Sequence, residues 1–248
     1  MEVRPNKKEF VKLAENHDVV PVVQELTSDT VTPFMVYSRL AECGRNPFLL
    51  ESVEGGERAA RYSFVGSDPF RVVEVRAGVV FVDGTPTPGP PVGALKRATD
   101  FGSVAPVDGL PPFAGGAMGY LGYDAVRLVE EIPDAGRDEG GLPEAWFGLY
   151  DSIVALDRAR QRLLLVAAAR IQGDVERAWA EASQRLASMQ RALCGGGEGH
   201  RPHVIPRSEV GWTGWKPTPS EEDYMSAVSR AREYILAGDI FQVVLSRR

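Results

Sequence analysis

The β-branched and apolar runs of this chain follow one another through short turns rather than through helices, and that order constrains the fold most. Residues 48–53 and 62–67 read as strands around the polar loop Glu54-Gly-Gly-Glu-Arg58. Residues 70–76 and 79–83 follow, joined at Ala77-Gly78, a pair suited to a tight hairpin. Residues 146–157 and 161–171 make a second, longer hairpin. Strands joined this closely pair antiparallel, because a parallel pair needs a crossover of a dozen or more residues. The expected class is therefore α+β: mostly antiparallel β-sheets, sandwich-like, flanked by helices.

Helix ends are marked by their caps. Asn6 with Glu9 three residues on reads as a capping box opening a short helix over Phe10, Val11 and Leu13. Residues 19–26 are a strand. Thr32-Pro33 is an N-cap followed by a proline at the first helical position, and Gly44 is a fitting stop. Between them Phe34, Val36, Tyr37, Leu40 and Ala41 form a stripe expected to pack into the core. Asp174 caps a helix reaching Leu193, with Val175, Ala178, Ala182, Leu186, Met189 and Leu193 on one face. Residues 84–91, with four prolines, read as a surface loop, and residues 92–101 as a weak helix. Gly115, Gly116, Gly119 and Gly122 lie in an apolar stretch without a Gly-Lys-Ser/Thr pattern. A strand passing close to another backbone suits them better than a phosphate loop. Asp124 is placed to cap a short helix.

Residues 195–219 are rich in glycine and proline and lack apolar periodicity, so they read as a linker between a domain over residues 1–194 and a second over residues 220–248. Trp212 and Trp215 within the linker are expected to pin it down. Ser220-Glu-Glu-Asp223 opens a helix that closes at Gly238, and an apolar strand is expected from Ile240. A strand ending there would have bare edges, which invite another strand.

The net charge of −6 argues against a nucleic-acid partner or an anionic membrane surface. No apolar run approaches the roughly 20 residues that span a bilayer. Cys43 and Cys194 have no metal-like spacing, and with no signal-peptide core in the first twenty residues a reduced cytoplasm is expected. His17, His200 and His203 are scattered, and neither a Ser-His-Asp group nor a metal cluster is visible.

Leu49-Leu50-Glu51-Ser52, followed by Arg61-Tyr-Ser-Phe-Val-Gly66, resembles the large subunit, component I, of anthranilate synthase. Pro112-Phe-Ala-Gly-Gly-Ala-Met-Gly-Tyr-Leu-Gly-Tyr-Asp124 is similar to that family's glycine-rich segment, and residues 142–151 to the strand entry after it. Residues 223–248 are similar to the opening of its chorismate-binding region. The resemblance implies an N-terminal regulatory domain, with a catalytic half continuing past residue 248. The family converts chorismate and ammonia to anthranilate and pyruvate in tryptophan biosynthesis. Its Mg²⁺ is held by glutamates expected beyond this segment, and a glutamine amidotransferase subunit delivers its ammonia. It also implies that Leu50, Glu51 and Ser52 bind the feedback inhibitor L-tryptophan, with Glu51 on the α-ammonium. A basic residue after the motif completes that site; Arg58 and Arg61 are the candidates, and Arg61 can equally fix the following strand.

Gln242 is the residue expected to reach the chorismate pocket. In related enzymes that add water to chorismate the matching position is a lysine. An amide is no base near pH 7, and ammonia brings its own lone pair, so glutamine fits amination. Arg247 and Arg248 suit a dianionic substrate or a charged rim. The alternatives are aminodeoxychorismate synthase, from which Val243-Val244-Leu245 leans away, and a stand-alone amino-acid-binding module. The 248-residue segment alone is expected to make no anthranilate.

Overall fold

The cap residues read from the sequence close the helices of a computed structural model, which describes residues 3–28, 31–51, 61–132, 141–194 and 217–246. Asn6 accepts from the N–H groups of Lys8 and Glu9, and Glu9 accepts in return from the N–H of Asn6 at 3.0 Å. This box opens α1 (Lys7–Ala14). Thr32 accepts from Met35 N–H to open α2 (Pro33–Cys43), and Asp174 accepts from Arg177 N–H at 3.0 Å to open α4 (Val175–Cys194). On α4, Ala178, Ala182, Leu186, Met189 and Leu193 are buried, as their spacing requires; on α2, Val36 and Leu40 are buried while Phe34 is exposed.

The chain falls into two compact units, Met1–His200 and Arg201–Arg248. In the first, the strands are β1 (Val3–Arg4), β2 (Val19–Thr27), β3 (Phe48–Glu51), β4 (Tyr62–Gly66), β5 (Arg71–Arg76) and β6 (Val79–Val82). After these come β7 (Thr85–Thr87), β8 (Gly116–Leu121), β9 (Ala145–Tyr150), β10 (Ser152–Asp157) and β11 (Arg162–Arg170). They form a six-stranded sheet, β1-β2-β11-β10-β4-β3, and a five-stranded sheet, β7-β6-β5-β9-β8. Every ladder between described strands is antiparallel; a single bridge, Val19 to Val104, is parallel. The expected class, antiparallel sheets flanked by helices, is the one found.

One face of the six-stranded sheet packs Val154, Leu156, Leu163, Leu165, Ala167 and Ala169 against α1, α2 and α4, where Phe10 meets Trp179 edge-on at 5.0 Å. The other face carries Val23, Phe48, Phe64, Ile153, Ala155, Leu164 and Val166, with Phe113 and Met118 packed in the same cluster. Both faces of β10 and β11 are dry, which is why they read as continuous apolar runs. Helix α3 (Pro91–Ala98) covers Val73, Val75, Val80 and Leu149 of the five-stranded sheet.

Four expectations need correction. Residues 146–157 are two strands: the chain leaves the five-stranded sheet with Tyr150 and enters the six-stranded one with Ser152, turning at Asp151. The apolar pattern continues through the crossing because both sheets bury it. The loop over residues 84–91 contains β7, which tolerates Pro86 because an edge strand can spare a ladder N–H. Asp124 does not cap: Gly122 precedes the 3₁₀ turn Tyr123–Leu128, and Asp124 sits within it, 3.3 Å from Arg127 Nε.

In the second unit, α5 (Glu221–Ala237) is capped by Ser220 and closed by Gly238 at φ 82°, as expected. The strand expected from Ile240 is the fourth correction: residues 240–246 form none. A strand exists only through a partner's hydrogen bonds, and Phe241 (94% exposed) and Val244 lie open.

Candidate functional site

The strand pairing that positions Glu51 is short. β3 is the outer strand of its sheet, in register with β4 so that Glu51 stands opposite Ser63. Leu50 and Glu51 are exposed at its end, while Ser63 is fully buried. Ser52 and Arg58 lie outside the described residues, as do Trp212, Trp215, His200, His203, Arg247 and Arg248.

The β10–β11 turn brings Arg158 to this strand end. Its guanidinium donates to the Glu51 carboxylate and, at 3.1 Å, to Ser63 Oγ. Its backbone N–H donates to the Arg61 carbonyl at 2.9 Å. Arg61 faces elsewhere. Its Nε and a terminal nitrogen bind both oxygens of Asp157, at 2.8 and 2.7 Å, and its guanidinium lies 4.8 Å over the Tyr62 ring. Of its two sequence roles, holding the following strand is the one its contacts serve. Asp157 also accepts from Arg162 Nε at 3.2 Å, and Arg162 continues to Glu25 at 2.9 Å. A cavity of about 260 Å³ opens beside this network, lined by Ser28, Val31, Thr32, Pro33, Leu156, Asp157, Arg158 and Gln161.

The Asp157 carboxyl is held at about 2, first by the hydrogen bonds from Arg61 and then by those of Arg162 and the Arg160 N–H, against burial, which pushes the other way. The same bond to Asp157 raises the Arg61 guanidinium further above its ordinary range. A carboxyl depressed in the folded state stabilises above its ordinary value of 3.8, and that stability fades as pH falls toward 2. The contribution is about 2–3 kcal/mol. Between pH 5 and 2 the urea midpoint should fall more in the wild type than in Asp157→Ala. Equal falls would show that the carboxylate is not linked to folding.

Gln242 is exposed in the second unit. Among the described residues no group of three or more His, Cys, Asp or Glu side chains can hold a metal ion. No helix among the described residues is long and apolar enough to cross a membrane. A separate cavity of about 430 Å³, where the chain changes sheets at Asp151, is lined by Ser67, Asp68, Ser152, Arg185 and Met189 among others. It contains none of the residues predicted for a site.

Sequence reasoning missed Arg158. It lies 107 residues from Glu51, and only the basic cluster Arg158, Arg160, Arg162 at one hairpin turn hinted at an electrostatic role.

A family model described as chorismate binding enzyme matches residues 45–248. Anthranilate synthase component 1 of Streptomyces coelicolor is 39% identical over 98% of this chain and 46% of its own length. The protein of the same name from Thermus thermophilus is 38% identical over 92% of this chain and 47% of its own. The crystal structure of anthranilate synthase component I from Streptococcus pneumoniae shares the fold, with a TM-score of 0.59 at 23% identity, over 86% of this chain and 46% of that one. The chain belongs to the chorismate binding enzyme family. It spans about half the length of the curated relatives it matches.

Proposed function

We propose that the chain is the regulatory part, with the opening of the catalytic part, of an anthranilate synthase large subunit. The whole enzyme would convert chorismate and ammonia to anthranilate and pyruvate, with ammonia delivered by a glutaminase subunit and Mg²⁺ held outside this segment. The observation that carries the reading is 39% and 34% identity over 98% of the chain to proteins named anthranilate synthase component 1. L-Tryptophan would bind at Leu50, Glu51 and Ser52 and restrain the enzyme. In support, Glu51 is an exposed residue at the end of an outer strand, where its carboxylate pairs with Arg158. Gln242 would face chorismate, where an amide leaves ammonia as the nucleophile.

In the full-length enzyme supplied with chorismate and ammonium, formation of the ortho-aminated product supports the assignment, and the para product would move it to aminodeoxychorismate synthase. Losing a charge-assisted hydrogen bond costs roughly 1.5–3 kcal/mol. Glu51→Gln should therefore raise the tryptophan inhibition constant about tenfold or more. Ser52→Phe should raise it further by filling the head-group space. Unchanged constants in both variants would remove the feedback assignment.

A further inference from the structure

We infer that Arg158 supplies the cationic half of the effector site, and that the Glu51–Arg158 ion pair is a latch opened by a zwitterionic α-amino acid. The inference rests on the reading that Glu51 receives the effector's ammonium. Glu51 can do so only if its present partner yields, and that partner is Arg158. Both side chains are about two-fifths exposed, at 36% and 44%. An ion pair in such contact with water is weak and opens readily.

Two neighbouring cations among the described residues are committed elsewhere. Arg61 and Arg162 both hold Asp157, whose side chain is fully buried, and Arg162 also holds Glu25. Arg158 has Glu51 as its carboxylate partner, so releasing Glu51 leaves its guanidinium seeking another anion. The planar fork of an arginine matches a carboxylate with two parallel bonds. The two charges of an α-amino acid are separated by a single carbon. They can therefore slot between two side chains already in contact, ammonium on Glu51 and carboxylate on Arg158. One internal pair is exchanged for two. The cavity beside Arg158 gives the guanidinium room to turn, while the bond from its N–H to the Arg61 carbonyl keeps its backbone in place. Such a site takes free amino acids and rejects amines or acids that lack either charge.

The test is calorimetric titration of the full-length protein with L-tryptophan, tryptamine (no carboxylate) and indole-3-propionate (no ammonium). The wild type should prefer tryptophan to both by about tenfold or more. In Arg158→Ala tryptophan should weaken by about the same factor, while tryptamine binds as before or more tightly, because Glu51 has lost its competitor. Arg158→Lys should keep most of the preference for tryptophan. Because the readout is a ratio between ligands, modest destabilisation of a variant does not mimic the result. Equal weakening of tryptophan and tryptamine in Arg158→Ala would overturn the latch, as would unchanged tryptophan affinity there with a loss in Glu51→Gln. Either leaves the feedback reading standing. A wild type that binds no tryptophan would end both.

Discussion

Asp157→Ala is expected to lower the unfolding free energy by about 3–5 kcal/mol, the range for breaking a buried ionic cluster by removing one member. The Asp157 side chain is 0% exposed and is the point on which Arg61 and Arg162 converge. Its loss leaves Arg162, itself only 11% exposed, with Glu25 alone, and takes the acceptor from the Arg160 N–H. Asp157→Asn should recover little, since an amide turns donors toward donors on one side. Arg61→Ala should cost less, because Arg61 reaches solvent and Arg162 still neutralises the carboxylate. Equilibrium urea unfolding of the three variants checks the order. A loss below about 1 kcal/mol in Asp157→Ala would mean that the cluster contributes no more than a surface pair.

Most signals whose cause is local survived into the structure, the Asp124 cap being an exception. Capping oxygens, a proline at the first helical turn, and the left-handed Ala77-Gly78 turn (φ 47° and 71°) need only a few neighbouring residues to act. Sheet membership is different. Nothing in the apolar run over residues 146–157 distinguishes one sheet from two, because burial on both faces erases the alternation that would mark a change of partner. Residues 240–246 fail in the opposite direction. Their β-branched composition favours a pleated surface only when another strand supplies its other half, and the second unit, among its described residues, supplies none.

The candidate site divides along the same line. Glu51 was readable because the short motif around it has a family resemblance. Arg61 was readable as a cation, but not as one spent on Asp157, since that pair spans 96 residues and forms only when the β4–β10 ladder sets its register. Arg158 was hidden for the same reason. Its meaning comes from the turn that folds β10 onto β11, beside the strand that carries Glu51. Antiparallel sheets bring together side chains far apart in sequence, and it is these pairings that decide which arginine is available to a ligand.

Gly119→Ala is expected to cost about 1–3 kcal/mol, the range for an added methyl group that forces the backbone to shift. Gly119 lies on β8 opposite Phe147 of β9. A Cβ there would stand 1.9 Å from the Trp146 carbonyl oxygen and 2.7 Å from Phe147 Cα. Both are backbone atoms of the partner strand, so no rotamer change relieves the clash and β8 must move away from β9. As β8 is an outer strand, the first consequence should be loss of its ladder, read as faster amide exchange over Gly116–Leu121. Gly93→Ala provides the contrast. Gly93 lies in α3, where a Cβ would approach only the end of the Arg97 side chain, at 3.4 Å. Replacing this first-turn glycine should stabilise by up to roughly 0.5–1 kcal/mol, the cost of a glycine in a helix interior. Opposite shifts in urea midpoint for the two substitutions would tie the glycine-rich segment to backbone contact, whereas a neutral Gly119→Ala would leave its glycines without that explanation.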